Sequence, residues 1–145
     1  MALFSYTQFT TTVATGPNSN FTDPLPLHFV HHLSKRVDAI PLLFIHGWPG
    51  SFMEVGNIIN GLVNPPNKSS PAFHVVAPSI RGFAFSPAPK KPGFGPREAG
   101  HTLNSLMQQL NYTRYVIQGG DFGGCILRYM AGDYPSSAVS VLDNF

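Results

Sequence analysis

Pro41-Leu42-Leu43-Phe44-Ile45 is apolar at every position, the pattern of a strand covered on both faces. Phe73-His74-Val75-Val76-Ala77-Pro78 and Tyr115-Val116-Ile117-Gln118 read as two further strands, bounded by Pro- or Gly-containing segments. Leu25 to His32 has a different rhythm: Leu25, Leu27 and Phe29 fall at period two, on one face of a strand. Between the strands the period lengthens. Phe52, Val55, Ile58, Ile59 and Leu62 recur at three- and four-residue spacing, predicting a helix that Asn64-Pro65-Pro66 stops. Pro96-Arg97-Glu98 opens a second helix through Leu103, Leu106, Met107 and Leu110. Cys125, Ile126, Tyr129 and Met130 mark the buried face of a third, which Pro135 ends, and Ala138 to Leu142 begins another strand. The Pro- and Gly-rich stretch from Ser79 to Pro96 is a loop, long for a compact domain. No element is read before Leu25.

Strands separated by helix-length segments imply right-handed crossovers and a mostly parallel sheet with helices on both faces, an α/β fold. Ligands of such sheets bind at the carboxyl ends of the strands. His46-Gly47-Trp48-Pro49-Gly50-Ser51 and Gly119-Gly120-Asp121-Phe122-Gly123 both follow strands, so they converge on one edge.

Composition narrows the class without naming an activity. Of the 145 residues 43% are hydrophobic, enough for a sizeable core, and 11% are charged against about 25% in ordinary proteins. Nine basic and seven acidic residues give a net charge of +2, with no Lys/Arg run beyond Lys35-Arg36 and Lys90-Lys91, so no nucleic-acid footprint is expected. Cys125 is the only cysteine, which excludes an internal disulfide and suits a small core residue. The N-terminus lacks a basic segment followed by a continuous apolar one, and no apolar stretch reaches membrane-spanning length. A soluble, cytoplasmic protein is expected. Glycosylation-type triplets at Asn20, Asn67 and Asn111 carry little weight without a secretion signal.

The chemistry concentrates at Asp121. A lone acid between small residues, where a buried strand turns into a helix, fits a nucleophile elbow, in which flanking glycines such as Gly120 and Gly123 keep neighbouring backbone clear of the apex. The usual serine needs a base, whereas a carboxylate of pKa about 3.9 is already an anion at neutral pH and suits attack on sp3 carbon. Two amides can serve it. Trp48 N–H, in a loop that Gly47 lets turn closely and Pro49 restrains, and Phe122 N–H, at the start of a helix, together make a candidate oxyanion hole.

Other readings compete. Asp121 alone also fits a helix cap. A phosphate loop is disfavoured, since GGDFGG lacks both the GxGxxG spacing and a P-loop lysine, and its acid repels phosphate. His28 and His32 would sit about 13 Å apart on a strand with His31 on the opposite face, so no metal site is read there. His46 reads as a residue that orders its loop through hydrogen bonds, His101 as a helix residue. Tyr112, Tyr115, Tyr129 and Tyr134 read as packing residues.

HGWPGS, VVAPSIRGFAFS and YVIQGGDFGG, in this order, resemble an epoxide hydrolase of the α/β-hydrolase fold, closest to the microsomal type. The resemblance spans Leu25 to Phe145 and implies the N-terminal portion of a hydrolase core domain over residues 25–145, behind an N-terminal extension over 1–24. It implies that Asp121 opens a small-molecule epoxide to a covalent ester that a His-activated water hydrolyses to a diol, with no cofactor or metal. The amides of Trp48 and Phe122 would form the oxyanion hole, and His46, Gly47, Pro49, Gly120 and Gly123 would support the motifs. The family's relay acid, base histidine and epoxide-polarising cap tyrosines lie beyond the matching region, so the resemblance implies a partial fold, truncated before the cap and C-terminal strands. Such a fragment is expected to be alkylated once without turning over and to self-associate through its raw sheet edge. A non-catalytic hydrolase remnant or binding protein is the first alternative. A haloalkane dehalogenase is the second, disfavoured because Phe122 replaces the tryptophan whose indole N–H binds halide. The family usually has proline and glycine where this chain has Arg81 and Ala84.

Overall fold

The computed structural model describes residues 6–14, 21 and 24–144. The three apolar runs form its central strands, β3 (Ile40–Ile45), β4 (Phe73–Pro78) and β5 (Tyr115–Gly120). With β1 (Gln8–Val13), β2 (Leu25–His32) and β6 (Ala138–Asn144) they build one six-stranded sheet in the order β1-β2-β4-β3-β5-β6. β3 pairs in parallel with β4 and β5, and β5 pairs in parallel with β6. β2 runs antiparallel to both of its neighbours. The sheet is therefore mostly parallel, as the apolar runs imply, with an antiparallel pair at one side.

A 3-10 helix (Phe52–Asn57) and a short α1 (Ile59–Val63) follow β3 and cover one face, where Phe52, Val55, Ile59 and Val63 pack with Leu42, Phe44 and Val75. α2 (Pro96–Gln109) and α3 (Phe122–Asp133) cover the other, where Leu103, Leu106, Met107, Ile126 and Met130 pack with Leu43, Ile45 and Ile117. Pro96 opens α2, and the Glu98 carboxylate accepts from the Gly95 amide at 2.9 Å to close its first turn. Chain leaving β3 goes to one face and chain leaving β5 goes to the other, so a crevice opens between their carboxyl ends. That is where open α/β sheets hold ligands.

Several local expectations change. The single helix expected from Phe52 to Leu62 is broken in two, and Ile58, expected inward, is 48% exposed. Gly56, Asn57, Asn60 and Gly61 give this segment too little helix propensity to hold one continuous helix. On α3 the buried side chains are Ile126, Leu127 and Met130, while Cys125 is half-buried and Tyr129 exposed. The face is thus rotated toward Leu127 from the one read off the sequence. His28 lies on β2 and is buried there, where Ser79 Oγ meets its Nδ1 at 2.8 Å and Gln8 Oε1 its Nε2 at 2.9 Å. A strand, β1, lies within the stretch before Leu25, where the apolar pattern predicts no element. Asn20, Thr22 and Phe145 fall outside the described residues.

The loop from Ser79 to Gly95 contains two tight turns closed by Phe83 N–H to Ile80 C=O and Ser86 N–H to Phe83 C=O. Ala84 sits in the second with φ of 45°, a left-handed conformation that costs an L-residue about 1–2 kcal/mol. Glycine relieves that strain but loses more chain entropy, so Ala84→Gly is expected to stabilise the protein by up to about 1 kcal/mol. Thermal denaturation, read as a midpoint higher by roughly 2–4 °C, checks this. No helix among the described residues is long and apolar enough to cross a membrane.

Candidate functional site

Asp121 stands between β5 and α3 with φ of 52° and ψ of −124°, one of three described non-glycine residues at positive φ. A side chain in such a backbone is held there only because its surroundings over-determine it. Those surroundings are glycines. A Cβ on Gly123 would lie 2.4 Å from Ile45 O and 2.8 Å from His46 O, so the first turn of α3 is pressed directly onto the end of β3. A Cβ on Gly119 would meet the Gly123 carbonyl carbon at 3.0 Å and Ile45 O at 3.1 Å. Gly119 thus packs against the same junction, a role that its place in the motif does not disclose. Gly120 faces elsewhere, toward β6, where a Cβ would stand 2.7 Å from Asn144 O.

The Asp121 carboxylate is exposed and does not cap α3. It turns toward the loop after β3, where Trp48 N–H donates to its Oδ1 at 2.9 Å across 73 residues of sequence. This hydrogen bond, with a lesser effect from the Phe122 amide, holds the carboxyl pKa below the usual aspartate value. The group is a carboxylate throughout the neutral range. Gly47 makes the approach possible, since a Cβ there would stand 3.0 Å from Asp121 Cβ and 3.1 Å from Oδ1. The Trp48–Pro49 peptide bond is cis, and the Trp48 side chain is 70% exposed.

His46 fixes the loop from beneath. It is fully buried, its Nε2 accepts from Ile80 N–H at 3.1 Å and its Nδ1 donates to Gly47 C=O at 3.0 Å. Accepting at Nε2 requires a neutral ring protonated at Nδ1. Burial lowers its pKa against the opposing pull of the Gly47 carbonyl and Glu54. Both ring nitrogens are committed to backbone, so His46 is not available to activate water. The Phe83 ring lies 5.3 Å from the His46 ring and 6.2 Å from the Phe122 ring, joining the long loop to both segments of the site. No periodicity marks Phe83 or Ile80 for this role, which arises only when the loop folds back over the strand ends.

Several other titratable groups have partners of their own. His31 bonds Tyr112 Oη at 2.9 Å, His101 bonds Tyr134 Oη at 2.5 Å, and Tyr115 donates to Asn104 Oδ1 at 2.7 Å with its pKa raised by burial. Among the described residues no three His, Cys, Asp or Glu side chains are grouped to hold a metal ion.

Desolvation lowers the pKa values of His28, His31 and His46 below 6.5. The unfolded chain takes up protons at these positions as pH falls through 6.5, whereas the folded chain resists until pH reaches the lowered values. The stability they support is present above pH 6.5 and is lost between there and those values. Carboxylates with depressed pKa, Asp121 and Asp133 among them, act only below about pH 3.8. A urea midpoint that falls between pH 7 and pH 5 is the expected observation.

Comparison with known proteins identifies the fold and the family. Residues 40–141 match the α/β hydrolase fold family, and residues 1–55 match the epoxide hydrolase N terminus family. The chain is 37% identical over 123 residues to juvenile hormone epoxide hydrolase 1 of Ctenocephalides felis, covering 83% of this chain and 26% of that protein. It is 40% identical over 119 residues to epoxide hydrolase 1 of Sus scrofa, covering 77% and 26%. The crystal structure of juvenile hormone epoxide hydrolase from the silkworm Bombyx mori superposes with a TM-score of 0.88 at 32% identity, over 99% of this chain and 36% of that one. Aspergillus niger epoxide hydrolase gives 0.77 at 33% identity, over 97% and 34%. The chain therefore spans about a quarter of the length of these curated relatives. It belongs to the α/β-hydrolase fold family, and within that family it resembles the N-terminal part of the epoxide hydrolases.

Proposed function

We propose that Asp121 is the nucleophile of an epoxide-opening reaction and that the amides of Trp48 and Phe122 form its oxyanion hole. The observation that carries this reading is the bond from Trp48 N–H to Oδ1. With Oδ1 held by that amide, Oδ2 is the oxygen left to attack. Its lone pair forms a bond to one oxirane carbon, the ring C–O bond breaks, and the alkoxide takes a proton from solvent water to give a hydroxyalkyl ester of Asp121. Oδ1 becomes the ester carbonyl oxygen. When water adds to the ester carbon and gives up a proton, negative charge develops on Oδ1, where the amides and the N-terminus of α3 favour it. Collapse returns the carboxylate and releases a vicinal diol.

The relatives named above are epoxide hydrolases, which favours an oxirane over a haloalkane. Hydrolysis of the ester needs a base to take the proton from water, and His46, beneath the loop that carries Trp48, has both ring nitrogens engaged. This 145-residue chain on its own is accordingly proposed to complete the alkylation and stop at the ester. Incubation with styrene oxide, followed by intact-mass analysis and diol measurement, tests both parts. One adduct per chain without catalytic diol is expected. Absence of an adduct would sink the nucleophile, and multiple diol turnovers would sink the restriction to the first step.

A further inference from the structure

Arg81 is 6% exposed, and its Nε and Nη1 have no hydrogen-bond partner. A guanidinium cannot shed its charge at any accessible pH, so a buried one without acceptors is costly unless something supplies them. Phe94 answers only part of that need: the guanidinium carbon lies 5.6 Å from its ring centroid. Stacking of this kind uses the face of the cation and leaves Nε–H and Nη1–H, which lie in its plane, without acceptors.

Arg81 lines a cavity of about 580 Å³ between the start of β2 and the loop after β4. The volume is in the range of small-molecule sites. Leu25, Pro26, Pro87 and Pro89 contribute apolar wall, and Lys90 and Lys91, both exposed, stand at the border, so that Arg81 is the buried positive charge of the lining. Asp121 is not part of this lining. In the sheet, β4 and β3 separate β2 from β5, so the cavity flanks the candidate active site without sharing its carboxylate.

We propose that this cavity binds an amphipathic monocarboxylate, its head paired with the Arg81 guanidinium and its hydrocarbon tail lying against the proline-rich wall. One buried positive charge matches one negative charge, and the apolar wall rewards a tail that a free inorganic anion lacks. The site is separate from the epoxide chemistry and does not depend on it.

Isothermal titration of the full chain with decanoate, decanol and inorganic phosphate tests the assignment. Decanoate is expected to bind, and decanol and phosphate to bind at least about tenfold more weakly, the scale of one charge-assisted hydrogen bond. Arg81→Gln should weaken decanoate by about ten- to a hundredfold, with Arg81→Lys intermediate. Ala88→Trp fills the cavity from an exposed loop position and should abolish binding while Arg81 is intact. It serves even if substitution at Arg81 prevents folding. Equal affinity for decanoate and decanol, or retained affinity in Ala88→Trp, would overturn the proposal. So would tighter decanoate binding in Asp121→Asn, because that places the ligand beside the catalytic carboxylate.

Discussion

Styrene oxide is expected to label the wild-type chain once, on the peptide that contains Asp121, and Asp121→Asn is expected to slow that labelling by about a thousandfold or more, the scale reached when a nucleophile is removed. The argument rests on charge and position. Asparagine preserves the shape of the side chain but offers a neutral amide oxygen in place of an anion, and the anion is what attacks carbon. The Trp48 amide that holds Oδ1 also lowers the carboxyl pKa, so the reactive form persists as pH falls. Labelling should therefore stay constant from pH 7 down to about pH 4 and decline only below the ordinary aspartate range. A histidine-dependent reaction would instead decline near pH 6.5. Cys125 is the obvious competing nucleophile, half-buried and free. Cys125→Ser should leave the label untouched, and a label that moves with Cys125 would remove Asp121 from the mechanism.

What the chain discloses before folding depends on whether the cause is local. β3 and β4 are legible because a strand buried on both faces must be apolar at nearly every position. Asp121 is legible because an acid flanked by glycines after a strand is unusual in itself. β1 escapes notice because its run QFTTTV buries little beyond Val13, leaving β-branched threonines as the only cue. The break between the 3-10 helix and α1 is hidden because apolar spacing continues across it while Gly56 and Asn57 withdraw the propensity. His28 and Arg81 lie beyond sequence reading for a stronger reason. The groups that bury them, Gln8 and Ser79 for one and Phe94 for the other, come from other elements and meet only in the assembled sheet. The same holds for the Trp48–Asp121 hydrogen bond. Topology brings its two loops to one crevice, but which amide reaches which oxygen is decided by the glycine contacts around them.

Those contacts make Gly123→Ala the most damaging small substitution to expect in this chain. The added methyl would have to occupy space 2.4 Å from Ile45 O and 2.8 Å from His46 O, distances that real side chains do not show. Both obstacles are backbone. Ile45 is fixed by pairing with β5 opposite Gly119, and His46 is tied to Ile80, so neither carbonyl can withdraw without disturbing the sheet or the loop that carries Trp48. α3 would have to lift away from β3, carrying Asp121 with it. Overpacking costs about 1–3 kcal/mol where side chains can adjust, and here they cannot, so a loss of about 3 kcal/mol or more is expected. Gly132→Ala is the internal comparison. It lies in the same helix with nothing within 4 Å of the added Cβ, and alanine there should stabilise by roughly 0.5–1 kcal/mol through helix propensity alone. Thermal denaturation should thus move the two variants in opposite directions, and Gly123→Ala should lose styrene oxide labelling even at temperatures where it remains folded. A Gly123→Ala midpoint equal to wild type would mean that α3 does not press on β3, and that the backbone strain at Asp121 has some other support.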